Sequence, residues 1–220
     1  GEVVMSNHGR YGIVEIADLE HPGETDEQAL VRAKQKRLGY TRAFLNLFRR
    51  QQAERRATGR DHVVVVGYHG WHDWVMVTAD PHPGIPDEDR PTVHRVPYND
   101  TERVAWWLRR AEGGVAAVML EPTLLVPPVD GYLEAVVGLC HQHGALSIFD
   151  EMVTGFRWAR SGGQEYFGVT PDLATFGKII GGGFPLAAVC GGRELMRHFD
   201  PALEGTPEYV SQVGTLNGNP

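Results

Sequence analysis

The chain has 220 residues, of which 42% are hydrophobic and 22% are charged, and its net charge is −7. This composition is typical of a globular protein with one large domain, and the acidic balance argues against a nucleic-acid-binding protein. No apolar run approaches the roughly 18 residues of a membrane span, and no leader segment opens the chain. Two cysteines, Cys140 and Cys190, are too few for a disulfide framework, so we expect reduced core thiols in a cytoplasmic protein.

The first part of the chain is weakly patterned. Residues 1–27 are expected to be irregular with one short strand. Apolar residues recur at three- and four-residue steps over 28–57, which predicts a helix. Five arginines lie between 49 and 60, and we interpret them as a solvated face of that helix. The β-branched run Val63–Gly67 then indicates a strand buried on both faces of a parallel sheet.

Strands and helices alternate in the rest of the chain. Residues 80–100 contain five prolines, which predicts a long loop with an edge strand near Val93–Val96. Further strands are predicted at 115–120, 145–149, 173–176 and 186–190, and helices at about 101–112, 131–143, 163–167 and from about 193. This alternation predicts an α/β fold, a three-layer sandwich whose mostly parallel sheet is covered by helices on both faces.

Two of these predicted strands end in residues that carry chemistry. Lys178 follows a short apolar run and precedes Gly181–Gly183 and Pro185, so it lies where the backbone must turn sharply. Asp150 ends the strand that lies 28 residues upstream. In an open α/β sheet, side chains at the carboxyl ends of strands point into the crevice where ligands bind. An amine facing a carboxylate across a flat cofactor is the arrangement that pyridoxal phosphate chemistry requires.

Six segments occur in a distinctive order along the chain: Gly67–Asp73, Leu120–Pro122, Phe149–Arg157, Gly168–Leu173, Gly177–Pro185 and Gly214–Pro220. Together they resemble class III pyridoxal-phosphate aminotransferases, and within that class they are most similar to glutamate-1-semialdehyde 2,1-aminomutase and its relatives. The resemblance implies the large domain of a fold type I transferase over residues 53–220. Residues 1–52 do not share it and form an N-terminal segment, irregular plus one helix.

The resemblance also implies roles for the residues of the site. Lys178 corresponds to the Schiff-base lysine, and Asp150 to the carboxylate that pairs with the pyridine nitrogen of the cofactor. Tyr68 occupies the position of an aromatic ring that stacks on one cofactor face. Met152 stands where the family usually has a valine against the other face, and a thioether fills the same space. His69 is expected beside the cofactor, and Glu151 is assigned to structure.

Phosphate binding follows the family only in part. The usual Ser-Gly-Thr turn, which holds the phosphate at a helix N-terminus, has no match in residues 32–43. Thr215 matches the threonine that the neighbouring subunit contributes, so the resemblance implies a homodimer. Gly181–Gly183 lacks the spacing of a phosphate loop and is interpreted as a turn close to the cofactor.

The expected reaction is transfer of an amino group between a small amino compound and a keto acid or aldehyde. Two alternatives of the same fold stay open. One is an intramolecular amine shift of the aminomutase type. The other is a non-catalytic remnant, an expectation based on the missing phosphate turn, on a first residue that is not methionine and on the stop at Thr215–Pro220. A third hypothesis from another class, a metal hydrolase using His69 and His72, lacks a metal motif of known spacing.

Overall fold

The computed structural model describes residues 2–5, 11–14, 58–70, 73–79, 92–184, 186–206 and 208–210. Its strands are β1 Glu2–Met5, β2 Tyr11–Val14, β3 His62–Val66, β4 Val93–Val96, β5 Val115–Leu120, β6 Leu146–Asp150, β7 Leu173–Phe176 and β8 Ala188–Gly191. Its α-helices are α1 Asp73–Met76, α2 Thr101–Arg110, α3 Tyr132–His143, α4 Gly163–Phe167 and α5 Arg193–Met196. Short 3-10 helices cover Lys178–Gly181, Arg197–Phe199 and Pro201–Leu203.

Six of the strands form one mixed sheet in the order β4-β3-β5-β6-β7-β8. Every neighbouring pair is parallel except β7 and β8, which run antiparallel. The prediction of a mostly parallel α/β sheet is therefore confirmed. Strands β1 and β2 pair with each other antiparallel, where one short strand was expected.

Helices cover both faces of this sheet. Val64 and Val66 of β3 pack with residues of α2 and α3 on one face. Val63 and Val65 point the other way, toward residues of α1 and α5. Successive side chains of a strand alternate between the two faces, so a run of four valines fits a strand that is buried on both. This arrangement confirms the predicted three layers.

The ends of the elements follow local capping chemistry. The Asp100 carboxylate accepts a hydrogen bond from the Arg103 N–H at 2.8 Å and caps the start of α2. Helix α3 ends at His143, and the following Gly144 caps it with a φ of 64°. The strands and helices predicted from residue 93 onward agree with the observed bounds within about two residues, as expected for element ends.

Two sequence interpretations are wrong. The Arg60 guanidinium does not lie on a solvated helix face, because it donates hydrogen bonds to the carbonyls of Val115 and His143. The other four arginines of that group, and the whole of the helix predicted over 28–57, lie outside the described residues. Cys140 is buried as expected, but Cys190 is exposed because the end of strand β8 is open to solvent.

Within the described ranges, no helix combines the length and the apolar character needed to cross a bilayer.

Candidate active site

The carboxyl ends of the parallel strands gather the predicted site residues at one edge of the sheet. Asp150 is the last residue of β6, and its side chain is buried, with 3% of the residue exposed. Its Oδ1 accepts hydrogen bonds from the Met152 N–H at 3.1 Å and the Thr175 hydroxyl at 3.2 Å. Its Oδ2 lies 2.8 Å from Nδ1 of His69. A carboxylate offers about four acceptor directions, so these three bonds leave one for a further N–H donor.

His69 is buried and lies between two acceptors. Its Nδ1 faces Asp150, and its Nε2 lies 3.0 Å from the Val66 carbonyl oxygen. Since the Asp150 carboxylate and the Val66 carbonyl lie on opposite sides of the ring, they hold its orientation. Both nitrogens are engaged in this way, which argues against His69 as a metal ligand. His72, the other residue of the metal hypothesis, lies outside the described residues.

Lys178 lies two residues after the end of β7, at the start of a 3-10 helix. Its φ is 51°, in the left-handed region that non-glycine residues rarely adopt. Burial by the surrounding protein lowers the pKa of the Lys178 amine, although the side chain keeps access to solvent. The charges of Asp150 and Glu121 oppose this shift, and Arg157 adds to it. A lowered pKa raises the neutral fraction of the amine at a given pH, which is the form that acts as nucleophile or base.

Met152 packs against the residue that precedes Lys178. The Met152 side chain is buried, and a Cβ added to Gly177 would lie 2.3 Å from its Sδ atom. Only glycine fits at position 177 while Met152 keeps this position. The backbone N–H of Met152 also donates to Asp150, so Met152 connects the carboxylate side of the site with the lysine side.

Tyr68 follows the end of β3 and presents an exposed ring, with 57% of the residue accessible. Its backbone N–H donates to the Glu121 carboxylate at 3.3 Å. Glu121 follows the last residue of β5 and is buried. An accessible aromatic ring at this edge can stack against a flat ligand.

The structure brings five of the predicted site residues to this edge of the sheet: Lys178, Asp150, Tyr68, His69 and Met152. Their roles toward a cofactor remain predictions. Thr215 lies outside the described residues.

Glu151 has the structural position that was expected. It is fully buried, and its carboxylate accepts hydrogen bonds from the N–H groups of Gly163 and Gln164, both at 2.8 Å. The Thr154 hydroxyl also donates to it. These bonds place Glu151 at the start of α4 and away from a ligand role.

Sequence reasoning missed Thr175, whose hydroxyl donates to Asp150. Thr175 pairs with Asp150 in the parallel register of β6 and β7. The only signal in the sequence is a hydroxyl residue inside the apolar run Leu173–Phe176, three positions before Lys178.

Comparisons with known proteins agree with this geometry. A family model described as Aminotransferase class-III matches residues 42–220. The glutamate-1-semialdehyde 2,1-aminomutase of Methanocaldococcus jannaschii is 40% identical over 181 residues, which cover 76% of this chain and 41% of the relative. The enzyme of the same name from Desulforapulum autotrophicum is 44% identical over 178 residues, covering 74% and 40%. The chain thus spans about two fifths of the length of these relatives.

Solved structures of transaminases and aminomutases also align with this chain. An omega-transaminase from Sphaerobacter thermophilus aligns with a TM-score of 0.68 at 30% identity, covering 77% of this chain and 43% of that one. A glutamate-1-semialdehyde-aminomutase from Pseudomonas aeruginosa aligns with a TM-score of 0.59 at 30% identity, covering 67% and 35%. The sequence resemblance is confirmed, and the chain belongs to the class III aminotransferase family.

Proposed function

We propose that this chain is part of a pyridoxal-phosphate-dependent enzyme that transfers an amino group between a small amino compound and a keto acid or aldehyde. One observation carries the proposal. The buried Asp150 carboxylate, held by His69, lies at the same sheet edge as Lys178, an amine whose pKa is lowered by burial and is influenced by the Asp150 charge.

The residues at this edge fit pyridoxal phosphate. The free acceptor direction of Asp150 suits the protonated nitrogen of a pyridine ring, and the exposed Tyr68 ring suits its flat face. A relative that is 29% identical has been solved as a transaminase with PLP bound, which supports this choice. When bound, the cofactor supplies an electron-withdrawing ring that stabilises negative charge at the substrate carbon.

Lys178 is the residue that moves the proton in this proposal. Its neutral amine would remove a proton from the substrate carbon next to the nitrogen, and the resulting ammonium would deliver that proton to the carbon on the other side of the nitrogen. Asp150 would keep the nitrogen of a bound pyridine ring protonated by accepting its N–H. His69 holds Asp150 in place through the 2.8 Å contact.

The names of the relatives favour a second candidate, an intramolecular amine shift. Several relatives that are 38–44% identical are glutamate-1-semialdehyde 2,1-aminomutases. The same residues would serve both reactions, because the proton transfers at Lys178 are common to them.

An assay with two arms separates these candidates. The purified protein with pyridoxal phosphate is given glutamate-1-semialdehyde alone, and separately a panel of amine donors with keto acids. Transfer predicts product only when donor and acceptor are both present, whereas the shift predicts product from the single substrate. Lys178→Ala should abolish either activity, and borohydride should trap the cofactor on Lys178 in the unmodified protein. A colourless protein that forms no such adduct would contradict the proposal and favour a non-catalytic remnant.

We also propose a homodimer in which Thr215 reaches the phosphate of the neighbouring site, as the family resemblance implies. Mixing Lys178→Ala subunits with Thr215→Ala subunits tests it. Half of the randomly mixed dimers would contain one intact site, so about a quarter of full activity should return. No recovery in a mixture shown to exchange subunits would contradict the shared site.

A cytoplasmic location is part of the same proposal. The two free thiols, Cys140 and Cys190, support it, because an oxidising compartment would expose Cys190 to oxidation. Fractionation of the source cells would test it, and enrichment in a secreted or periplasmic fraction would contradict it.

A further inference from the structure

Two side chains form hydrogen bonds with the backbone of the turn that contains Tyr68. Strand β3 ends at Val66, so the peptide unit between Gly67 and Tyr68 lies beyond the last paired residue of the strand. The carbonyl oxygen of this unit accepts a hydrogen bond from Nη2 of Arg95 at 3.2 Å. Its N–H donates to Oε1 of Glu121 at 3.3 Å. Side chains from β4 and from the end of β5, the two neighbours of β3, therefore hold both polar ends of one peptide unit.

Close packing limits the turn further. Gly67 has a φ of 107°, a conformation that favours glycine, and a Cβ at this position would lie 3.2 Å from Oε1 of Glu121. Glu121 is 8% exposed, so its carboxyl group is fixed by the surrounding protein. A peptide plane held at both ends also holds the Cα atom of Tyr68 and its N–Cα axis, from which the Tyr68 side chain takes its direction. Since the Tyr68 ring itself is largely exposed, this direction is set through the backbone.

Electrostatics fit a hydrogen-bonding role for Glu121. Burial raises the pKa of its carboxyl group, and the Asp150 charge raises it further. His69, the Tyr68 N–H and Lys178 act in the opposite direction. The carboxyl group can accept the Tyr68 N–H in either protonation state, so the support of the turn does not require a charge.

We propose that Glu121 and Arg95 are positioning residues, which orient the Gly67–Tyr68 peptide unit and thereby place the Tyr68 ring against the face of the bound cofactor. This inference rests on the proposed pyridoxal phosphate function. Glu121 contributes more than Arg95, because it is buried and Arg95 is exposed.

Amide hydrogen exchange at Tyr68, measured without cofactor, is the first test. Glu121→Met keeps the side-chain volume but removes the acceptor, and it should speed exchange at this amide at least about tenfold. Glu121→Gln keeps an acceptor oxygen and should stay within about threefold of the unmodified protein. Glu112→Gln, at an exposed acid outside the site, is the matched control and should change nothing. Equal exchange in Glu121→Met and the unmodified protein would overturn the proposal.

Cofactor affinity in a double-mutant cycle is the second test. Glu121→Met should raise the dissociation constant for pyridoxal phosphate about fivefold, and Arg95→Gln about twofold. In a Tyr68→Ala background both effects should vanish, because the residues act through the ring. Equal effects in both backgrounds would overturn the proposal, since a general structural role predicts them.

Two further outcomes are covered. If Glu121→Met does not fold, the double-mutant cycle is measured with Arg95→Gln, which changes an exposed residue. An Arg95→Gln effect on cofactor affinity that persists in the Tyr68→Ala background then overturns the proposal. If the unmodified protein binds no pyridoxal phosphate, the proposed function fails. The exchange series would then still report whether Glu121 holds the turn, so the two failures are distinguishable.

Discussion

Lys178 combines a chemical role with backbone strain. Its φ is 51°, and among the described non-glycine residues a positive φ occurs otherwise at Asn99 and Phe156. Such a conformation costs about 1–2 kcal/mol for a residue with a side chain and persists where the surroundings enforce it. The strain therefore falls on the residue that the proposed reaction uses.

This strain makes a testable difference between two inactive variants. Lys178→Gly should be more stable than Lys178→Ala by about 1 kcal/mol, because glycine adopts a positive φ without a steric penalty. Both variants lack the amine, so both should lose at least about 1000-fold in amino transfer. Urea unfolding measures the first difference and cofactor absorbance the second. If Lys178→Ala and Lys178→Gly are equally stable, the backbone at position 178 is not strained.

The His69–Asp150 pair predicts a stability effect of its own. His69→Ala should lower the free energy of unfolding by about 2–4 kcal/mol, because it leaves a buried carboxylate without its partner. His141→Ala, which removes the exposed partner of Asp172, is the control and should cost less than about 1 kcal/mol. Chemical denaturation at neutral pH compares the two variants. Similar losses would show that His69 does not compensate the charge of Asp150.

For single residues, the sequence predicts which residues lie in the site better than it predicts which of them are in contact. Asp150 and Lys178 could be found because each follows an apolar run, and the ends of strands carry ligands in such sheets. The contact between His69 and Asp150 spans 81 residues and depends on which strands become neighbours, which no local pattern encodes. Cys190 was expected in the core because its strand is apolar, yet burial depends on what covers the strand.

Helix α4 is a short element that depends on one buried acid. Glu151→Ala should destabilise the protein by about 2–4 kcal/mol, because the N–H groups of Gly163 and Gln164 would lose their acceptor inside the protein. Glu165→Ala removes an exposed acid that bonds the Ser161 N–H and should cost less than about 1 kcal/mol. Thermal melting compares the two. If Glu151→Ala is as stable as the control Glu165→Ala, groups other than Glu151 cap helix α4.

Strands β3 and β4 are joined by stacked rings that respond to pH. His62 Nδ1 lies 2.8 Å from His94 Nε2, and the His94 ring stacks on Trp107 of α2 at a centroid distance of 3.5 Å. Burial, and next the charge of His62, lowers the pKa of His94 to about 4. The hydrogen bond requires one ring nitrogen without a proton, so protonation of both rings would break it.

The sign of the pH effect follows from that shift. The unfolded protein binds a proton at His94 near the ordinary pKa of 6.5, whereas the folded protein resists it down to about 4. This contribution to the free energy of unfolding is therefore complete above about pH 6.5 and is lost as pH falls toward 4, by up to about 3 kcal/mol. Urea unfolding at several pH values measures this effect. His94→Gln should weaken the pH dependence of the free energy of unfolding, and the control His198→Gln should leave it unchanged. If the free energy of unfolding of His94→Gln changes with pH as in the unmodified protein, other groups cause the effect.

Element types were largely predictable, because β-branched runs, capping residues and glycine stops are local signals. Asp100 caps the start of α2 and Gly144 follows the end of α3, and both are residue types that favour these positions. The role of Arg60 was not predictable, since its acceptors Val115 and His143 lie 55 and 83 residues away.

For the whole molecule, one sheet edge collects side chains from β5, β6 and β7 and from the turn after β3. Pyridoxal phosphate should bind only the folded arrangement, so at 100 times its dissociation constant it should stabilise the protein by about 2.7 kcal/mol. The melting temperature should rise by roughly 5–10 °C for a chain of this size. Pyridoxal without its phosphate is the control and should give a smaller rise. The absence of any rise with the full cofactor would contradict the proposed site.

The contact between Met152 and Gly177 restricts how this site can be altered in laboratory evolution. Any side chain at position 177 meets the sulfur of Met152, while shortening Met152 alone opens a void beside Gly177. Useful variants at these two positions are therefore expected as simultaneous changes, such as a small residue at 152 with alanine at 177. Libraries that randomise one codon at a time would miss them.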